Sequence, residues 1–271
     1  MTSVLSQVIH LIKRIFKVGI KIKTAEQIEG IRASSQLAAK TLKHMEQFVK
    51  PGVTTAELDQ IIEEYVRAHG ALPATKGYRG FKHASCISPN DVVCHGVPND
   101  TKLQSGDIVN IDVTTILDGY FGDTCRMYYV GEPTEYAKKL VDTTRECLQL
   151  GMKEVKPGAH LGNVGAAIAE HAHKNGYSVV YEFCGHGVGL KFHEEPDVQH
   201  ISERDTGPVL KEGMVFTIEP MINAGKARCK IDRKDGWTAR TIDGRLSAQF
   251  EHTIVVTKDG FEALTDVYND F

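Results

Sequence analysis

A chain of 271 residues with 41% hydrophobic content can bury a substantial core, as one large domain or as two fused halves. Its formal net charge of -3 lacks the positive field that non-specific nucleic-acid binding requires, and no specific DNA binding is expected. Six cysteines without a C-x-x-C spacing exclude a zinc ribbon and a redox pair, and free thiols fit a reducing cytoplasm.

Residues 1–19 form a basic amphipathic extension. Val4, Val8, Leu11, Ile15 and Val18 recur at helical spacing, with Arg14 and Lys17 on the other face and no acid before Glu26. Charge interrupts the pattern too often for a bilayer span, and the compact apolar stretch and cleavage site of a secretory signal are missing. Three readings stand open: a helix packed on the domain, contact with an anionic membrane surface, and transient association with the ribosome through its RNA.

Beyond the extension the spacing predicts a helix over 25–48, with Ile28, Ile31, Leu37, Leu42, Met45 and Phe48 on one side. A second helix starts at the capping box of Thr54 and Glu57 and buries Leu58, Ile61, Ile62, Tyr65 and Val66. Stretches rich in strand formers follow at 85–95 and 107–130, then a second helix pair over 135–152 and 161–175, then strands over 177–184, 213–222 and 247–257. The order repeats, and so do the residues. Val49-Lys50-Pro51-Gly52 returns as Val155-Lys156-Pro157-Gly158, and the run from Leu103 to Asp112 aligns at nearly the same offset with the run from Leu210 to Glu219. This predicts an α+β fold with pseudo-twofold repeats of about 25–150 and 151–271, a curved and mostly antiparallel sheet backed by two helix pairs, and one catalytic domain over 20–271.

The segment from Ile108 to Val130 allows geometry to be derived. Asp118-Gly119 between alternating runs signals a two-residue hairpin turn, because both positions tolerate positive φ. Pairing Leu117 with Tyr120 then sets Asp112 opposite Cys125 and Asp123 opposite Thr114, so the two acids project from one face as diagonal neighbours. Burying both without counter-charge would raise one carboxyl pKa strongly, and a divalent cation removes that difficulty. Glu219 ends an apolar strand before Pro220, Glu251 lies in a β-branched run, and His186 sits among glycines that admit a ligand close to the backbone. Four carboxylates and one imidazole match the charge of two divalent cations, and such a site suits cobalt, manganese, iron(II) or zinc in hydrolytic chemistry.

Five motifs give these residues a family resemblance: Cys94-His95-Gly96-Val97-Pro98; Asn110-Ile111-Asp112-Val113; Gly122-Asp123-Thr124; Gly185-His186-Gly187-Val188-Gly189 with Phe192-His193-Glu194-Glu195-Pro196; and Thr217-Ile218-Glu219-Pro220 with Gln249-Phe250-Glu251-His252-Thr253. The chain resembles the type 1 methionine aminopeptidases, metallopeptidases of the pita-bread fold, over roughly residues 20–271. The resemblance implies removal of the initiator methionine from nascent polypeptide N-termini, with a small second residue preferred. It implies Asp112, Asp123, His186, Glu219 and Glu251 as ligands of two divalent metal ions, with Asp123 and Glu251 bridging. Glu219 is then the proton shuttle for a water activated by the metal pair, His193 and His95 assist at the oxyanion and the scissile amide, and Tyr78, Phe81, Cys86, Phe192 and Trp237 form the methionine slot. Both of those histidines stand three residues before a proline, Pro98 and Pro196, like another echo of the repeat. Thr75 stands where many bacterial relatives carry cysteine, and Phe81 where some carry tyrosine. Asn90, Val92 and Ser247 match positions that hold a monovalent cation in relatives, and a monomer is the expected state.

Other readings predict different things. A prolidase would share the metal ligands but normally adds a large N-terminal domain, and a type 2 methionine aminopeptidase would carry a helical insertion where only 25 residues separate His193 from Glu219. A metal-free binding module of the same fold would usually lack some of the five ligands.

Overall fold

The computed structural model describes residues 19–267, so residues 1–18 of the predicted extension lie outside the described residues. Four helices carry the two halves: α1 (Ala25–Met45), α2 (Thr55–Ala68), α3 (Glu135–Lys153) and α4 (Gly162–Lys174). The capping box of Thr54 and Glu57 starts α2 as expected. A second box starts α1, where the Thr24 hydroxyl accepts from the Gln27 amide and the Gln27 side chain accepts from the Thr24 amide. Helix α1 stops three residues earlier than its apolar spacing suggests. Its last turn tightens into shorter bonds, from the Glu46 amide to the Lys43 carbonyl and from the Phe48 amide to the Met45 carbonyl. Among the described residues, no helix is long and apolar enough to cross a membrane.

Among the described residues the strand pairings are all antiparallel and fall into four hydrogen-bonded sheets. In the first half, Ile108–Leu117 and Tyr120–Tyr129 form a ten-residue hairpin with Asp118 at φ 51° and Gly119 at φ 84°, the left-handed pair that the turn requires. Its register puts Asp112 opposite Cys125 and Asp123 opposite Thr114, as the turn chemistry predicts. Helix α1 lies directly on this hairpin: a Cβ at Gly122 would collide with the backbone of Ser34 and Ser35. Ser34 and Thr115 lock the contact by exchanging hydroxyl-to-carbonyl bonds of 3.1 and 2.9 Å.

In the second half a five-stranded ladder runs in the order Phe261–Ala263, His252–Val256, Val215–Ile218, Gly185–Gly187, Glu194–Val198. Two expectations need correction here. The predicted strand over 177–184 shrinks to Ser178–Val179, and the glycine-rich segment around His186 is itself a strand. Glycine is required there because the backbone carbonyls of Thr217 and Glu195 occupy the space that side chains at Gly185 and Gly187 would need.

Each half has its own core. Leu37, Leu42, Met45, Leu58 and Ile62 pack on Ile87, Ile111 and Val113, while Leu140, Leu148, Met152, Val164 and Ile168 pack on Phe216, Ile218, Ile222 and Ile254. The duplication extends to single hydrogen bonds. Gly52 and Gly158, both at positive φ, donate to Leu103 and Leu210, and Gly106 and Gly213 donate to Val130 and Val256. The halves meet where the second hairpin strand runs beside residues 249–253. The Glu251 amide donates to the Cys125 carbonyl, the Thr124 hydroxyl to the Glu251 carbonyl, and the Thr253 hydroxyl to the Asp123 carbonyl. These bonds set Asp123 beside Glu251, although 127 residues separate them in the chain.

Candidate metal centre

The five predicted ligands converge on one cavity of about 630 Å³. Asp123, His186 and Glu251 are buried, and each offers a ligand atom within 4.8 Å of the other two. His186 Nε2 lies 3.6 Å from Asp123 Oδ2 and 3.7 Å from Glu219 Oε1. Asp112 lines the same cavity from the facing strand, where its register position places it on the Asp123 face.

Polar neighbours hold these groups in place. His186 Nδ1 lies 3.0 Å from the Gly187 carbonyl, which fixes the tautomer with Nδ1–H donating and leaves Nε2 a free lone pair aimed at the acids. The Thr217 hydroxyl accepts from the His186 amide at 3.0 Å and donates to Glu219 Oε1 at 2.8 Å. Gln249 Nε2 donates to Glu219 Oε2 at 3.2 Å, and the Thr114 hydroxyl to Asp123 Oδ1 at 2.7 Å. His200, fully buried behind the site, accepts the Glu219 amide at Nε2 over 3.1 Å. Sequence reasoning selected none of the four for the site, although it set Thr114 opposite Asp123. Thr217 and Gln249 stand only two residues before Glu219 and Glu251, and His200 carries no local signal.

The electrostatics call for cations. Burial, followed by mutual repulsion among the acids, pushes Asp112, Glu219 and Glu251 above the ordinary carboxylate range, and burial does the same to Asp123 against its Thr114 hydrogen bond. Their ion-pair contacts among the described residues are to His186, which burial holds neutral at about 4. Several buried carboxylates lacking an opposing charge, with a neutral imidazole beside them, are a donor set for hard or borderline divalent ions. The residues present fit a metal pair.

The predicted slot residues and both histidines line the same cavity, whereas Asn90 and Val92 line a separate one and Ser247 lines neither. The slot residues are Tyr78, Phe81, Cys86, Phe192 and Trp237, with Phe81 edge-on to Trp237 at 5.1 Å and Tyr78 at 4.8 Å from Phe192. His95 and His193 approach the cavity from different loops, the first edge-on to Phe183 and the second stacked on Tyr78 at 5.2 Å and 4.0 Å from the His186 ring. Partial burial holds His95 at about 4, and lost hydration at the cavity with nearby His186 and Arg79 holds His193, which keeps solvent contact, at about 3, so both are neutral near pH 7. The echo between these two histidines does not extend to backbone conformation, since His95 alone of the two has positive φ, at 54°. Asn90 and Ser247 are joined by a 2.9 Å backbone bond, and the Asn90 side chain is engaged with Asp107 and the Ile108 amide. Lining residues that sequence reasoning did not select include Gly19, Lys21, Glu182 and Lys191.

The model of metallopeptidase family M24 matches residues 29–258. The chain is 54% identical over 248 residues to the methionine aminopeptidase of Salmonella typhimurium, covering 91% of this chain and 94% of that protein. The crystal structure of methionine aminopeptidase from Rickettsia prowazekii is similar at a TM-score of 0.90 and 50% identity, covering 91% of this chain and 100% of that one. The prolidase from Pyrococcus horikoshii is less similar, at a TM-score of 0.73 and 26% identity, and only 64% of its chain is covered.

Proposed function

The chain belongs to metallopeptidase family M24, within its methionine aminopeptidases, and on that premise we propose how its own residues remove an N-terminal methionine. Asp112, Asp123, His186, Glu219 and Glu251 would hold two divalent ions. Such a pair supplies an acidified water and a polarised scissile carbonyl.

The chain's side chains do the rest. Glu219, oriented through both oxygens by Thr217 and Gln249, takes a proton at a carboxylate oxygen and returns it to the leaving amide nitrogen. Neutral His193 donates an N–H to the oxygen that gains charge, and His95 donates near the scissile amide. The aromatic walls at Tyr78, Phe81, Phe192 and Trp237, with Cys86, receive the thioether, a side chain that packs well on ring edges. Asn90, Val92 and Ser247 would hold a monovalent cation.

The observation that carries this reading is the mutual approach of Asp123, His186 and Glu251 on the wall of an aromatic-lined cavity. We place the protein in the cytoplasm as a monomer working on nascent N-termini, in keeping with free thiols at all six cysteines. Residues 1–19 are the segment through which ribosome or membrane contact would occur. Initial rates of methionine release from Met-Ala-Ser and Met-Leu-Ser by the metal-replete protein test substrate choice. Fast release from the first and at least about tenfold slower release from the second is expected; equal rates would refute the small-second-residue preference.

A further inference from the structure

A buried ion pair borders the metal-site cavity, which Glu194 helps to line, and joins the start of the described chain to the turn that carries His193. Lys23 Nζ is 2.7 Å from Glu194 Oε2, with side chains only 1% and 6% exposed. Glu194 uses its other oxygen as well: Oε1 accepts from the Leu190 amide at 2.7 Å and the Lys191 amide at 2.9 Å. One carboxylate therefore closes the turn Leu190–Glu194, which holds Phe192 and His193 inside it. Lys23 is itself anchored, because its amide donates to the Gly213 carbonyl at 2.8 Å and its neighbour Thr24 caps α1. In the same strap, Gly19 and Lys21 line the cavity.

A buried lysine–carboxylate pair adds little net stability over apolar residues of the same size, because desolvation offsets the attraction. What such a pair supplies is a defined position. With Lys23 absent, Glu194 would be left charged and unpaired in the interior and would turn toward water, releasing both amides and loosening the turn. A displacement of about 1 Å in a reacting group can cost about 10²-fold in rate.

We propose that Lys23 and Glu194 are positioning residues for catalysis, and that their ion pair locks the Leu190–Glu194 turn so that His193 and Phe192 face the metal-binding acids. This rests on the reading of His193 as the oxyanion donor. The pair acts on the substrate only through the turn.

The test compares kcat and KM on Met-Ala-Ser for the metal-replete wild type, Lys23→Met, Lys23→Arg, His193→Ala and Lys23→Met/His193→Ala, with amide hydrogen exchange at Leu190 and Lys191. Lys23→Met should lower kcat about 10- to 100-fold with a smaller change in KM, and should speed exchange at both amides. Lys23→Arg should retain most of the rate, and Lys23→Met should add little loss once His193 is alanine. If Lys23→Met misfolds, Lys23→Met/Glu194→Leu removes both charges and the acceptor together, and the same fall in kcat is expected. Wild-type kcat in either variant, or an equal loss with and without His193, overturns the proposal. Should His193→Ala keep full kcat, the oxyanion reading fails instead, and the lock is then decided by exchange: unchanged protection at Leu190 and Lys191 overturns it.

Discussion

Glu219→Gln is expected to fold, to keep its metal, and to release methionine from Met-Ala-Ser about 10³-fold more slowly than the wild type, within the range for loss of a general base. The substitution preserves size and one carbonyl oxygen. The Thr217 hydroxyl can still donate to that oxygen, as it does to Glu219 Oε1. The new amide nitrogen would meet Gln249 Nε2, a donor facing a donor, but Gln249 Oε1 is buried without a partner and a flip of its amide presents it to the new group. The local structure therefore tolerates the change, while the group that accepted a proton is gone. Turnover per bound metal is the quantity to measure. Near-wild-type turnover per bound metal contradicts the shuttle, and a fall explained entirely by lost metal reduces Glu219 to a ligand.

Removing the metal is expected to abolish turnover and also to give the folded protein an unusual dependence on pH. Asp112, Asp123, Glu219 and Glu251 all have folded-state pKa values raised above the ordinary carboxylate range, by burial first. Between that range, about 4, and the raised values, the folded state binds more protons than the unfolded chain. Stability is therefore greatest below the unfolded pKa and falls as pH rises through the folded values. Each group loses about 1.4 kcal/mol for every tenfold by which folding strengthens its hold on a proton, before mutual coupling. The histidines that folding holds neutral contribute the opposite slope up to the ordinary histidine pKa of about 6.5, so urea midpoints of chelator-stripped protein should decline above it, toward pH 8, and excess divalent cation should raise the midpoint and flatten the decline. A stripped protein equally stable across this range would show that the acids are not crowded as the structure has them.

Some of this site could be read locally and some could not. The Asp118-Gly119 turn carries its own register because only a left-handed pair closes a two-residue hairpin, so the shared face of Asp112 and Asp123 followed from four residues. The same threonine-to-glutamine signature that caps α1 at Thr24 is as plain as the threonine-to-glutamate one at Thr54, yet it was overshadowed by the amphipathic run before it. The strand Gly185–Gly187 has almost no side chains to signal β structure, since its glycines are there to admit the carbonyls of Thr217 and Glu195. The strand Glu194–Val198 contradicts propensity outright with two glutamates and a proline, which an edge position permits. Contacts such as Asp123 to Glu251 and Lys23 to Glu194 join distant parts of the chain; the internal repeat hinted at the first, and nothing near Lys23 or Glu194 in sequence hinted at the second.

The central claim is that the two halves bring their acids around a shared pair of divalent ions. Anomalous diffraction from crystals of the metal-loaded protein, recorded at the absorption edge of the added metal, tests it most directly. Two peaks are expected in the cavity, in contact with carboxylate oxygens of Asp112, Asp123, Glu219 and Glu251 and with His186 Nε2. A cavity without peaks, or ions bound away from these five side chains, would contradict it.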